Sequence, residues 1–307
     1  MPYVLRSMII AHTVTIEITK EEYNATLRAR AAMNELIAVE EKYDALMENY
    51  VELEETLHNF GIRTLAFVER RYEDTITPLN QVSRRVSNLL SSARLYRDAL
   101  PQHAARLLGR KHSEVVRLQE ELKPGNPNHP MPYRQMEAVR NYAQHVGPAI
   151  NDIVIDRHWE PNEENQKGRH LCAILPRMDA DAISRNKRNN HELAPDLRTS
   201  LAALGKEANP MPIIRKYVEH IGTIHAGFRE TVKQLEKESE ELMRGLLERY
   251  AKAAPGETLV AVAVGLENEN GIVLEPQYLV EHRLDYLRYL RVKHLSAASL
   301  SLRYVPW

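Results

Sequence analysis

Apolar positions in this chain recur with two periods, about two residues near its ends and about 3.6 through most of its length. Tyr3-Val4-Leu5 and the alternating stretch His12–Ile18 predict one or two strands. Thr19-Lys20-Glu21-Glu22 then fits a capping box. A helical stripe of Leu27, Ala31, Leu36, Val39, Tyr43, Leu46, Tyr50 and Leu53 follows to about His58, with a break expected at Gly61. A second helix is predicted from Leu65 to Leu100, kinked at Pro78 and ended by Pro101, and a third over Ala104–Leu122. The run Pro124-Gly125-Asn126-Pro127-Asn128-His129-Pro130 reads as a loop. A fourth helix begins near Tyr133 and closes at Gly147-Pro148.

Further along, Asn151–Arg157 and Arg169–Leu175 read as extended, with a polar turn at Pro161–Lys167. Asp179 to about Ala251 is helical, interrupted at Pro195 and at Asn209-Pro210-Met211-Pro212. Thr258–Leu266 and Ile272–Leu274, joined through Asn268-Glu269-Asn270-Gly271, predict a β-hairpin. A helix over Gln277–Ala297 and an extended stretch, Ser299–Val305, end the chain. The expected fold class is therefore mainly α, with a minor β element built from the N-terminal strands and the C-terminal hairpin. Four segments follow: a β segment (1–18), a helical core (19–170), a helical extension (171–254) and a C-terminal hairpin plus helix (255–307).

Composition narrows the function classes. With 43% hydrophobic and 27% charged residues in 307, the chain suits a globular protein with an ample core. Its net charge of −1 advertises no global affinity for nucleic acid, although a local basic patch suffices for RNA. The single Cys172 cannot form an intrachain disulfide and reads as a buried structural thiol in a reducing compartment. No apolar run is long enough for a signal peptide or a membrane span, so a cytoplasmic protein without a membrane partner is expected. Neither a Gly-x-x-x-x-Gly-Lys loop nor a Gly-x-Ser-x-Gly elbow occurs, which leaves ATPase and serine-hydrolase readings without support. His220 and His225 sit about 140° apart on a helix, too far to share a metal easily, and Asp179 and Asp181 read as a polar helix start. No metal and no cofactor are expected.

The chemistry concentrates in Arg140-Asn141-Tyr142-Ala143-Gln144-His145. With Arg140 at zero and about 100° per residue, Gln144 falls near ~40°, Glu137 near ~60°, Asn141 near ~100° and His145 near ~140°. Met136, Val139, Tyr142, Ala143 and Val146 gather on the other side as the face expected to be buried. Arginine keeps its charge at any working pH and its fork fits phosphate oxygens. Histidine trades a proton near neutrality. The spacing alone decides nothing, because seven Arg/His pairs at five or six positions occur among thirteen histidines. Only Arg140/His145 joins a polar Asn, an uninterrupted helix and an apolar back face.

The hexapeptide resembles the signature of HEPN domains, an arginine followed by Asn, Asp or His with a histidine closing the motif. Asn80, Arg84-Arg85, Asn88–Arg94 and Tyr96-Arg97-Asp98 resemble the paired helix of bacterial HEPN-like proteins. The likeness covers roughly residues 25–150. It implies a HEPN-like helical bundle and a metal-independent endoribonuclease, often a toxin or defence effector, working as a homodimer with both Arg/His helices at one cleft. Arg140 would then stabilise charge on the scissile phosphate, His145 would transfer protons, and Asn141 would orient the histidine or touch the phosphate. The expected reaction is attack of the RNA 2′-OH on the neighbouring phosphorus to leave a cyclic phosphate. Arg94, Arg97 and Gln144 are the RNA-facing candidates, and an antitoxin or other protein is a possible partner in such a family. Other HEPN proteins are noncatalytic. The arginines at 70, 71, 84, 85, 94 and 97 also read as a solvated face paired with Glu69, Glu73 and Asp98. Arg140 and His145 equally fit a surface cation and a histidine complementing the helix dipole, so a noncatalytic interaction or RNA-binding protein stays open.

Overall fold

The computed structural model describes residues 1–10, 12, 14–67, 73–160, 168–186 and 193–295. The turn at 161–167, the terminal stretch at 299–305, Arg70 and Arg71 lie outside the described residues. Among the described residues are eight helices and six strands, so the protein is mainly helical with small antiparallel sheets. They form two compact units. One comprises Met1–Glu41, Ala99–Arg117 and Ala226–Leu295; the other comprises Lys42–Asp98 and Leu118–His225.

The first unit holds the sheet made from both ends of the chain. Strand β1 (Tyr3–Ser7) pairs antiparallel with β2 (Thr15–Ile18) on one side and with β5 (Val262–Glu267) on the other. Strand β6 (Val273–Tyr278) completes the order β2-β1-β5-β6. Glycine is required at one point in this sheet. A Cβ on Gly265, at the irregularity between Val264 and Leu266, would overlap Val273 Cγ1 and lie 3.0 Å from the Leu274 carbonyl oxygen. Helix α1 (Lys20–Ala66) starts with the expected capping box: Glu22 N–H donates to Thr19 Oγ1 and Thr19 N–H to Glu22 Oε2, at 3.0 and 2.8 Å. In the same unit Glu40 is fully buried and accepts from Arg229 and Arg291, whose helices, α7 (Met211–Ala253) and α8 (Glu281–Lys293), it thereby ties to α1.

Two expected breaks are absent. Helix α1 runs through Gly61 to Ala66, because that glycine is buried with its Cα facing the Cys172 carbonyl oxygen of β4 (Arg169–Arg177). Packing there offsets the ~1 kcal/mol that glycine costs inside a helix. Helix α2 (Glu73–Leu108) likewise runs through Pro101, flanked by the buried Leu100 and Ala104, and ends before Gly109, whose φ is +90°. A proline interrupts one backbone hydrogen bond; apolar side chains buried on both sides hold the helix across it.

The second unit carries the site. It contains β3 (Asp152–Glu160), paired antiparallel with β4, and helices α4 (Met131–His145), α5 (Ala180–Arg185) and α6 (Pro195–Leu204). Tyr43, Leu46, Leu89, Tyr96, Met136 and Tyr217 are among the side chains of its core. His225 packs there as well, stacked on Tyr43 at 3.8 Å between ring centres and bonded through Nδ1 to the Tyr96 hydroxyl at 2.8 Å.

Candidate functional site

Helix α4 starts after Pro130 with Pro132 in its first turn, where a missing N–H costs nothing. Met136 and Val139 are buried as the apolar stripe requires. Toward the C-terminus the burial fades: Tyr142 and Ala143 are half-buried and Val146 is exposed. The stripe is thus shorter than its periodicity suggests, since core covers only the first three turns. Tyr133 and Ala138 are buried in addition.

The polar face of α4 borders a cavity of about 520 Å³. Arg140, Asn141 and His145 line it, and so do Arg94 and Arg97 from α2. Gln144 is exposed and is not among the lining residues. Five of the six residues singled out by sequence therefore share one cavity. The structure adds Lys123, Asn126 and His129 from the loop after α3 (Ser113–Glu121), Arg134 and Glu137 from α4, Ile183 of α5 with Asn186 just after it, and Leu197 of α6 with Leu193 and Ala194 just before it. Arg134 was recoverable from sequence: on the wheel that groups Asn141 with His145 it falls near ~120°, between them. Lys123 and His129 carried no such signal, because a loop has no periodicity to read.

The cations of the cavity differ in what holds them. Arg97 is only 4% exposed and donates to Glu137 Oε2 and, at 3.4 Å, to Asp98 Oδ1. Glu137 also accepts from the Tyr217 hydroxyl at 3.0 Å. Burial, then the Glu137 charge, pushes the Tyr217 hydroxyl well above the ordinary tyrosine range. Arg94 Nε reaches Asp98 Oδ2 at 2.5 Å. Arg134 forks onto both oxygens of Asp196, at 2.5 and 2.9 Å, and that hydrogen-bonded pair holds the Asp196 carboxyl below its usual range. Arg140 stands apart. Its Nη1 donates to Asn141 Oδ1 at 3.0 Å, its Nε is buried without a hydrogen-bond partner among the described residues, and no carboxylate lies within 4.0 Å of it there. A buried N–H of a permanent cation without an acceptor is costly in isolation, and an anion would satisfy it.

The loop wall is held by side chain–backbone bonds. Asn126 Nδ2 donates to the carbonyls of Glu120 and Glu121, both at 3.0 Å, closing the end of α3. His129 rests against Tyr133, and its Nδ1 shares a proton with His220 Nε2 at 3.0 Å. Burial and the charge of a protonated His220 push the His129 imidazole down to about 4, and burial lowers His220 as well. Both imidazoles are therefore neutral at neutral pH.

Among the described residues no group of three or more His, Cys, Asp or Glu side chains is arranged to hold a metal ion, and no helix is long and apolar enough to cross a membrane. No protein-family model, curated protein or solved structure matches this chain.

Proposed function

We propose that the protein is a metal-independent endoribonuclease of HEPN type. The observation that carries this reading is the convergence of Arg140, Asn141 and His145 of α4 with Arg94 and Arg97 of α2 on one cavity. In the proposed reaction the substrate's 2′-oxygen loses its proton to an imidazole and forms a bond to phosphorus. The bond from phosphorus to the 5′-oxygen breaks, that oxygen takes a proton, and a 2′,3′-cyclic phosphate remains. His145, solvent-exposed at the last position of α4, exchanges the proton. Arg140 neutralises the charge that builds on the phosphoryl oxygens, and Asn141 holds its fork. One Arg/His pair is a sparse catalytic set, so a second copy across a two-fold axis supplies the other proton-transfer group. A toxin or defence role, with a protein partner that restrains it, belongs to the same reading, as does a cytoplasmic site of action.

A noncatalytic RNA-binding or interaction protein is the competing reading. It draws support from the commitment of Arg94 and Arg97 to Asp98 and Glu137, which makes those two cations part of the architecture.

The test is incubation of single-stranded RNA in EDTA with wild type, Arg140→Ala and His145→Ala. Wild type should cleave and leave cyclic-phosphate ends, and each variant should lose at least about a hundredfold in rate. Equal behaviour of all three proteins sinks the reading.

A further inference from the structure

The cavity is larger than a phosphate group needs, and its lining is divided by element. Helices α2 and α4 and the loop before α4 supply the cations. Ile183 of α5, Leu197 of α6 and Leu193 and Ala194 just before α6 supply an apolar wall, and the buried Ala138 of α4 lines the cavity as well. That wall is held in place. Arg134 forks onto Asp196 at the start of α6, and Gln135 Nε2 donates to Ser200 Oγ at 2.7 Å. Asp179 accepts the Ala182 N–H at 2.8 Å and so caps α5. A site with a cationic side and a fixed apolar side fits a ligand that is anionic at one end and flat and weakly polar at the other.

From this division we infer that the α5–α6 wall is a nucleobase subsite: one base lies against Ile183, Leu193 and Leu197 while its phosphate meets Arg140. The inference rests on the reading of the Arg140 side as a phosphate site, and it adds the surface that holds a base. The substrate is single-stranded RNA with one base turned out of any stack, since a base in a duplex cannot enter a walled cavity. The volume, about 520 Å³, lies within the range of pockets that enclose a ligand of nucleotide size. Charge agrees with that occupant. Arg94, Arg97, Arg134 and Lys123 are balanced by Asp98, Glu137, Asp196 and Glu120, which leaves Arg140 to meet one phosphate. Asn126, whose amide nitrogen is spent on the end of α3, fixes the loop on the cationic side. Leu193 is half-buried and so open to a ligand from the cavity side.

Calorimetric titration of the intact protein tests this without cleavage, using AMP, GMP, CMP, UMP, ribose 5-phosphate, inorganic phosphate and hexyl phosphate. At least one nucleotide should bind about tenfold more tightly than ribose 5-phosphate, the gain a stacked or apolar base contact provides. Leu193→Asn, which brings no charge into the cavity, should reduce nucleotide affinity to that of ribose 5-phosphate, and Leu193→Met should keep the gain. The inference is overturned if ribose 5-phosphate matches all four nucleotides, or if hexyl phosphate outbinds them all. It is equally overturned if the gain survives Leu193→Asn, or if nothing binds at millimolar concentration. Base-dependent binding by a protein that cuts no RNA would sink the ribonuclease reading alone. Cleavage without base-dependent binding would sink the subsite alone.

Discussion

Glu137 supports the floor of the cavity, and its removal has a cost that the structure allows to be worked out. Its carboxylate accepts from Arg97 and from the hydroxyl of the buried Tyr217, and it stands 4.0 Å from Arg94. In Glu137→Ala the guanidinium of Arg97, 4% exposed, keeps its 3.4 Å contacts to Asp98 and its hydrogen bond with the Tyr133 hydroxyl but loses its close carboxylate, and Tyr217 loses its acceptor. Breaking a buried ion pair by deleting one partner costs about 3–5 kcal/mol, because the remaining charge stays in a medium that solvates it poorly. At roughly 2–4 °C per kcal/mol for a unit of this size, the melting temperature should fall by about 6–20 °C. Glu137→Gln keeps an acceptor for Tyr217 and gives up only the charge, so it should cost less, about 1.5–3 kcal/mol. The double variant Arg97→Met/Glu137→Leu removes both charges and fills the space, and it should recover most of the loss. Urea unfolding followed by circular dichroism measures these proteins together with the single variants Arg97→Met and Glu137→Leu, and the cycle of those two, their double variant and wild type yields the coupling between the two sites. A cost below about 1 kcal/mol for Glu137→Ala, or strict additivity in the double variant, would refute the view that this pair is a buried, mutually dependent unit.

Acid should loosen the same unit. The folded state holds the His129 proton affinity down at about 4, against about 6.5 in the unfolded chain, so between these values the unfolded chain binds more protons. The stability contributed by neutral His129 is complete above pH 6.5 and is lost as pH falls toward 4, by about 2 kcal/mol at pH 5. His129→Gln should show a correspondingly smaller loss of melting temperature between pH 7.5 and 5, and an unchanged slope would contradict the assignment. Gly265→Ala should destabilise the four-stranded sheet by about 1–3 kcal/mol, because its Cβ would overlap Val273 Cγ1. A thermal scan that finds Gly265→Ala as stable as wild type would mean that β5 and β6 can part at that point without loss.

Much of this architecture is legible along the chain. The Thr19–Glu22 capping box, the prolines that open α4 and α6, and the alternation that makes strands of both termini depend on neighbours a few residues away. The polar face of α4 is legible for the same reason, since helical periodicity alone brings Arg134, Arg140, Asn141 and His145 to one side. Local signals misled where burial outweighed them: Gly61 and Pro101 are helix breakers by type, yet both sit inside helices whose flanks are packed. What no local pattern could supply is the company that α4 keeps. Arg97 meets Glu137 forty residues away, Arg134 meets Asp196 sixty-two residues away, and His129 meets His220 ninety-one residues away. Such pairings depend on which faces the packed helices present to one another. The residue types and their periods determined the elements, the reactive face of α4 and the local pair Arg94–Asp98; only the tertiary structure decided that Arg97 is buried against Glu137, that Arg140 keeps an N–H without a partner among the described residues, and that apolar side chains line the same cavity.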